Sequence, residues 1–111
     1  MSAPDREWHL EPDSGPDLRF TGRQVAEVSS FEDGRNQWSV LRLYRTVGGG
    51  YVVVRERFDE ADPAEPMSMA AQACADAAAV VAYLHGGPQR ASWLTKNLLD
   101  QAGIDHAQVV P

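Results

Sequence analysis

Arginines and aromatic residues alternate along two neighbouring segments of the chain, and together they have the chemistry of an anion-binding surface. Seven of the ten basic residues lie between positions 19 and 58, against four acids, whereas residues 1–18 and 59–111 carry net charges of −4 and −5. Guanidinium groups bind phosphates and carboxylates through paired hydrogen bonds, and exposed rings stack on unpaired bases. The candidate residues for binding a partner or a nucleic acid are Trp38, Arg42, Tyr44, Tyr51, Arg55 and Arg57.

Whether these side chains share one face depends on the register of the hairpin around residues 48–50, because a slip of one residue exchanges the faces of one strand. With a loop of two or four residues, Arg42 lies opposite Arg55 on the arginine-rich face. We favour this register because the other face is then purely apolar and consists of Leu41, Leu43, Val52, Val54 and Phe58. Two arginines placed directly opposite each other destabilise a sheet unless an anion lies between them.

A three-residue loop gives the alternative register, in which Arg42 lies opposite Glu56 and gains an ion pair worth about 0.2–1 kcal/mol. Arg55 and Arg57 then share a face with leucines of the preceding strand. The core face consists instead of Trp38, Val40, Tyr44, Val52, Val54 and Phe58. Burying an arginine costs more than this ion pair returns, so the purer core decides our preference.

Three interpretations of the arginine-rich face stay open. Acids of the same chain, such as Glu27, Glu56 or those of residues 1–17 and 59–66, would neutralise it internally. A carboxylate-rich protein would bind it from outside, and so would a nucleic acid. The formal net charge of −6 and the pI near 4.9 oppose nucleic acid at long range.

The sequence carries no spacing pattern of a catalytic or metal centre. Residues 48–50 lack the Lys-Ser/Thr of a phosphate loop and predict a turn. His9, His85 and His106 are far apart in sequence, and the lone Cys74 falls on an apolar stripe typical of a core position. We therefore predict no catalytic residue, no metal ligand and no cofactor.

Strands are predicted over residues 18–30, 37–46 and 51–58, where β-branched and aromatic residues are frequent. The Asp33-Gly34 dipeptide indicates a hairpin turn between the first two strands. Residues 1–17 are rich in proline and acids, a composition typical of a flexible arm, although Trp8 and Leu10 could attach part of it to the domain.

Two helices are predicted in the C-terminal half. Apolar residues recur at helical spacing from Ala70 to Leu84, after an acidic, proline-containing connector at residues 59–66. In an alternative, Asp76 begins that helix and residues 67–73 form an edge strand. A second helix over residues 89–102 ends at a glycine, with Trp93 at the edge of the core or at an interface.

The predicted fold is α+β, with a three-stranded antiparallel sheet, or a four-stranded one if residues 67–73 form a strand, followed by two C-terminal helices packed on one face. Residues 18–111 form the single domain and residues 1–17 a flexible acidic arm. A chain of 111 residues supports one core, and its lone cysteine precludes an internal disulfide. We expect a cytoplasmic location because no signal sequence or apolar run of about 20 residues is present.

Charge segregation without catalytic motifs predicts a non-enzymatic interaction module that binds a protein partner through charged surfaces. A small acidic inhibitor, an immunity-type protein or a regulator would fit. The alternative is a nucleic-acid-binding module that uses the face of Arg and aromatic residues. A homodimer is compatible with the apolar helix face, and a small enzyme assembled at a dimer interface would leave no local motif. The preference for arginine over lysine is typical of GC-rich bacteria.

Overall fold

The computed structural model describes residues 4–32, 34–86 and 93–107. Five strands form one antiparallel sheet whose spatial order follows the chain: β1 (Arg6–Leu10), β2 (Leu18–Ser29), β3 (Gln37–Thr46), β4 (Tyr51–Asp59) and β5 (Ser68–Cys74). Two helices follow, α1 (Ala77–Gly86) and α2 (Trp93–Gln101). Within the described ranges, no helix has the length and apolar character that crossing a membrane requires.

The α+β class is confirmed, but the predicted count of three or four strands is wrong. Strand β1 lies in the segment that we predicted to be an arm. It is held to β2 by ladder pairing and by Trp8, whose indole Nε1 donates a hydrogen bond to the carbonyl oxygen of Gly22 at 3.0 Å. The prolines and acids of residues 11–17 form the loop after β1, so their composition masked the short strand before them.

The alternative boundary for the first helix agrees with the structure. Asp76 caps α1, because its Oδ1 accepts a hydrogen bond from the amide of Ala79 at 2.9 Å. The residues before it form β5, so only the second half of the apolar repeat is helical. The predicted start of the second helix, Gln89, lies outside the described residues, and α2 is followed by Gly103 at φ +71°. Trp93 is exposed rather than at the edge of the core.

The sheet curls until its two edges approach each other. The amide of Asp13, in the loop after β1, donates to the carbonyl oxygen of Met69 in β5 at 3.0 Å. The amide of Met69 in turn donates to Asp13 Oδ2, also at 3.0 Å. A bulge at Val25, where the register of β2 against β3 shifts, adds to the bend. The curl gives the sheet a concave inner face and a convex outer face.

Both faces of the sheet are apolar, and each has its own core. The helices cover the outer face, which we call the helix face; the core there consists of Ala26, Val28, Leu41, Leu43, Val53, Cys74, Val80, Leu84, Leu94, Leu98, Leu99 and Ile104. The inner face is filled by residues from all five strands, namely Tyr44, Val52 and Val54 with Trp8, Leu10, Leu18, Phe20, Met69 and Ala71. The edge strands therefore pack against the centre of their own sheet.

The favoured register of β3 against β4 is wrong. Arg42 pairs with Val54 and Arg55 with Leu41, so the two arginines point to opposite faces. Thr46 and Gly50 close the hairpin around three residues, because the amide of Thr46 donates to the carbonyl oxygen of Gly50 at 3.0 Å. Each residue of β3 and β4 points to the face that the alternative register assigns to it. Arg42, however, lies diagonal to Glu56 and not directly opposite it.

Replacing Gly22 with alanine should destabilise the fold, because β2 and β3 approach closely at this residue. A Cβ there would lie 2.2 Å from the carbonyl oxygen of Arg45 and 2.9 Å from the Cα of Thr46. We expect Gly22→Ala to lower the free energy of unfolding by about 1–3 kcal/mol, the usual cost of overpacking, as measured by urea denaturation.

Gly48→Ala is the matched control for this prediction. The nearest atom to a Cβ at Gly48 is the Thr46 Oγ1, 4.0 Å away. Its unfolding midpoint should stay close to that of the wild type. Equal stability of the two variants would contradict the close approach of the strands at Gly22.

Candidate functional site

The six residues predicted to form a binding face do not share one surface. Trp38, Arg42 and Tyr44 lie on the inner face, whereas Tyr51, Arg55 and Arg57 lie on the helix face. This division follows directly from the register, since residues of even number in β3 share a face with residues of even number in β4. A binding role for any one of the six stays a prediction, but they do not form the single platform that the sequence suggested.

Carboxylates of the same chain neutralise Arg42 on the inner face. Its guanidinium forms an ion pair with Glu56 through Nη1 and a second one with Glu27 through Nη2, at 3.5 Å from Glu27 Oε1. The Glu56 side chain is only 9% exposed and that of Arg42 24% exposed. The two glutamates and the arginine carry a net charge of −1, so this part of the inner face does not attract phosphate.

Tyr44 belongs to the core of the inner face. Its ring contacts Trp8 with centroids 4.7 Å apart and Phe20 with centroids 5.5 Å apart, both in edge-to-face geometry. Burial raises the pKa of the Tyr44 hydroxyl above its ordinary value, and the nearby Arg42 opposes part of that shift. Because the ring is 4% exposed, it offers no surface on which a base could stack.

The three residues on the helix face each have a local neighbour. The Tyr51 hydroxyl accepts a hydrogen bond from Arg45, whose guanidinium lies 4.8 Å from the centre of the ring. Arg57 donates to Gln37 Oε1 at 3.3 Å. Arg55 lines a shallow cleft together with Ser14 of the β1–β2 loop and with α1. These contacts spread the three side chains along one strand.

Large apolar side chains cluster at the end of β3 and β4 away from their hairpin turn, and we call this cluster the aromatic patch. It consists of Phe31, Trp38, Phe58 and Met67. Trp38 stacks on Phe58 with centroids 5.7 Å apart and planes 10° apart, and the Phe31 ring meets Trp38 edge-on at 5.0 Å. The amide of Met67 donates to the carbonyl oxygen of Arg57 at 2.7 Å, so Met67 lies beside this end of β4. Phe31 is 54% exposed and Met67 50% exposed.

Sequence reasoning identified only Trp38 of this patch. Phe58 was assigned to the core, and the structure buries it, with 9% of the residue exposed. Phe31 lies outside the strands that we predicted, and Met67 is the first residue of the alternative edge strand. The signal that could have revealed them is their position, since each is a large apolar residue next to turn-forming or acidic residues. Such residues usually face solvent, and an apolar side chain among them is informative because nothing local buries it.

The acidic connector at residues 59–66, which begins at the last residue of β4, lies beside the aromatic patch and carries four acids. Asp59 begins it, and hydrogen bonds from the backbone amide of Ala61 and then from the side chain of Gln37 lower the pKa of the Asp59 carboxyl. The amide of Glu60 donates to the carbonyl oxygen of Asn36 at 2.8 Å, which ties the connector to the chain just before β3. The acids are therefore held near the patch.

One further group of side chains could hold a cation. His9, Glu11 and Asp17 surround the β1–β2 loop, and a ligand atom from each lies within 4.8 Å of the others. Their separation in sequence hid this arrangement from the sequence analysis. All three are exposed, and His9 Nε2 lies 3.2 Å from Asp17 Oδ2, so a hydrogen bond between the two side chains accounts for the geometry.

Cys74 and His106 occupy settings that do not favour nucleophilic chemistry. Burial, followed by the negative charge of Asp76, raises the pKa of the Cys74 thiol, and the thiol therefore stays protonated at neutral pH. Cys74 is buried as predicted, but on β5 rather than on a helix. His106 Nε2 lies 2.8 Å from Asp100 Oδ1.

No protein-family model matches this chain, and neither the curated proteins nor the solved structures contain a match to it. Any functional assignment therefore rests on the geometry of its own residues.

Removing Arg42 should be costly because it leaves Glu56 unpaired in a poorly hydrated position. We expect Arg42→Met to lower the free energy of unfolding by about 3 kcal/mol, the low end for a buried pair, since Arg42 is partly exposed. The double variant Arg42→Met/Glu56→Leu removes both charges and should recover most of the loss. Urea denaturation measures both.

Arg35→Met is the matched control, because its ion pair with Glu32 at 3.0 Å is exposed on both sides. It should change stability by less than about 0.5 kcal/mol. A loss in Arg42→Met no larger than that in Arg35→Met would contradict the structural role of the Arg42 ion pairs.

The raised pKa of Tyr44 predicts a specific pH dependence. The folded state holds the hydroxyl proton more tightly than the unfolded state, so unfolding releases a proton once the pH passes about 10. The free energy of unfolding should then fall as pH rises above that value, and more steeply in the wild type than in Tyr44→Phe. Urea denaturation at several pH values between about 8 and 11 tests this, and parallel profiles would count against it.

Proposed function

We propose that this protein is a non-enzymatic interaction module and that it binds a protein partner through the aromatic patch. The observation that carries the proposal is that Phe31 and Met67, each about half exposed, lie beside the stacked pair of Trp38 and Phe58. Grouped exposed apolar side chains mark interaction sites, whereas isolated ones do not. Aromatic residues are also the side chains that most often supply the binding energy of protein interfaces.

The patch is positioned for binding before any partner arrives. Trp38 and Phe58 pair directly across the β3–β4 ladder, and their rings stack on each other. Side chains that are already fixed lose little conformational entropy on binding, so more of their contact energy appears as affinity. A rigid central pair with more exposed residues at either side is a suitable geometry for an apolar anchor from a partner.

The charges on the inner face favour a protein over a nucleic acid. Glu27 and Glu56 neutralise Arg42 on this face, and the adjoining connector is acidic. A phosphate backbone would meet repulsion there. The arginines of β4, which were candidates for phosphate binding, point to the helix face.

The proposal predicts that polar substitutions at the two exposed ends of the patch abolish partner capture. Immobilised wild-type protein and the variant Phe31→Ser/Met67→Ser would be incubated with lysate of the cells that produce the protein, and bound proteins quantified by mass spectrometry. We expect at least one protein to be depleted about tenfold or more by the double substitution, since anchor residues supply most of an interface's energy.

Val47→Ser is the matched control, because Val47 is 65% exposed but lies in the β3–β4 turn at the opposite end of the strands. Val47→Ser should capture the partner protein as well as the wild type does. If the wild type, Phe31→Ser/Met67→Ser and Val47→Ser all capture the same proteins in the same amounts, the assignment of the patch is refuted. Salt-sensitive binding of labelled single-stranded DNA or RNA that Phe31→Ser/Met67→Ser abolishes would also refute it, because the surface would then be a nucleic-acid site.

A further inference from the structure

Carboxylates without an ionic partner flank the aromatic patch. Residues 56–67 contain five acids and one arginine. Glu60, Asp62 and Glu65 are exposed, and within the described part of the chain none of them forms an ion pair. They lie in the connector, which Phe58 precedes and Met67 follows, so the chain itself places them next to the patch.

Hydrogen bonds fix the shape of this connector. The Asp59 Oδ1 accepts from the amide of Ala61 at 2.8 Å, and the amide of Asp62 donates to the carbonyl oxygen of Asp59 at 3.1 Å. The contact of Glu60 with the carbonyl oxygen of Asn36 holds the same turn against the start of β3. The exposed carboxylates therefore belong to an ordered turn that follows Phe58 in the chain.

The cations in this part of the molecule are already paired or point elsewhere. Arg35 forms an ion pair with Glu32 at 3.0 Å, and Arg57 donates to Gln37 on the helix face. Arg42 lies between two carboxylates. The uncompensated charge around the patch is consequently negative.

We propose that the segment recognised at the aromatic patch is basic: an apolar anchor flanked by lysine or arginine residues. This inference rests on the proposed function, because it specifies the chemistry of the partner at the same surface. Charge complementarity raises the association rate and discriminates against wrong partners. A second copy of this chain does not satisfy that requirement, since it would bring two acidic connectors together.

The test uses three fluorescein-labelled heptapeptides in which leucine alternates with lysine, glutamine or glutamate, measured by fluorescence anisotropy. The lysine peptide should bind the wild type at least about tenfold more tightly than the glutamate peptide at low ionic strength. The difference should shrink toward about 1 M salt, where the Debye length is about 3 Å. The triple variant Glu60→Gln/Asp62→Asn/Glu65→Gln should lose most of this preference.

The control variant Glu7→Gln/Glu11→Gln/Asp105→Asn removes the same number of negative charges from exposed positions outside residues 56–67, and it should bind like the wild type. Phe31→Ser/Met67→Ser should bind none of the peptides well. If all three peptides bind the wild type equally and Phe31→Ser/Met67→Ser abolishes binding, the patch is a docking site but the basic preference is wrong. Three results would overturn the inference. The lysine peptide does not bind the wild type, or it binds the two charge variants with equal affinity. The third result is that it binds Phe31→Ser/Met67→Ser as tightly as it binds the wild type.

Self-association is a separate outcome of the same experiment. Sedimentation of the wild type alone, compared with Phe31→Ser/Met67→Ser, shows whether the patch joins two copies of the chain. A dimer that dissociates in the variant would replace the basic segment as the occupant. A monomer in both cases agrees with the proposal.

Discussion

Two hydrogen bonds between Asp13 and Met69 join the opposite edges of the sheet, and the inner core depends on them. A flat five-stranded sheet would leave Trp8 and Phe20 exposed, far from Tyr44. The curl brings the edge strands over the centre, so that these rings pack against Tyr44. The helices can then cover the other face, and Gln101 of α2 accepts a hydrogen bond from the amide of Glu27 just after the bulge. Both faces of one sheet are thereby buried in a chain of 111 residues.

Burial of both faces explains which parts of the fold the sequence could predict. The strands β2, β3 and β4 were predictable because their composition is independent of what covers them. The register was not, since the preference for a single apolar face assumes that the other face meets water. Here Leu41 and Leu43 face the helices while Val52 and Val54 face the inner core, so each face is apolar. The bulge at Val25 also reverses which face the odd- and even-numbered residues of β2 point to, and no periodic pattern in the sequence could reveal this change.

The site was predictable only in part, for a related reason. Clustering of arginines along the sequence indicated a charged surface, but a sheet sends neighbouring residues to opposite sides. Arg42 and Arg55 are thus separated by the thickness of the sheet, and Arg42 is neutralised by Glu56, as the interpretation of internal pairing anticipated. Phe31 and Met67 join the aromatic patch through loop geometry, which depends on where the strands end and not on residue type.

The order of the strands also bears on how this chain reaches its native state. Every strand pairs with its neighbour in sequence, so four successive hairpins build the whole sheet from local contacts. Local pairing carries a small loop-closure cost and is associated with rapid folding. The contacts that join distant parts, Asp13 with Met69 and Glu27 with Gln101, span 56 and 74 residues. A folding pathway that forms the β3–β4 hairpin early and closes the edges late follows from this topology, with edge closure and helix docking as the slower events.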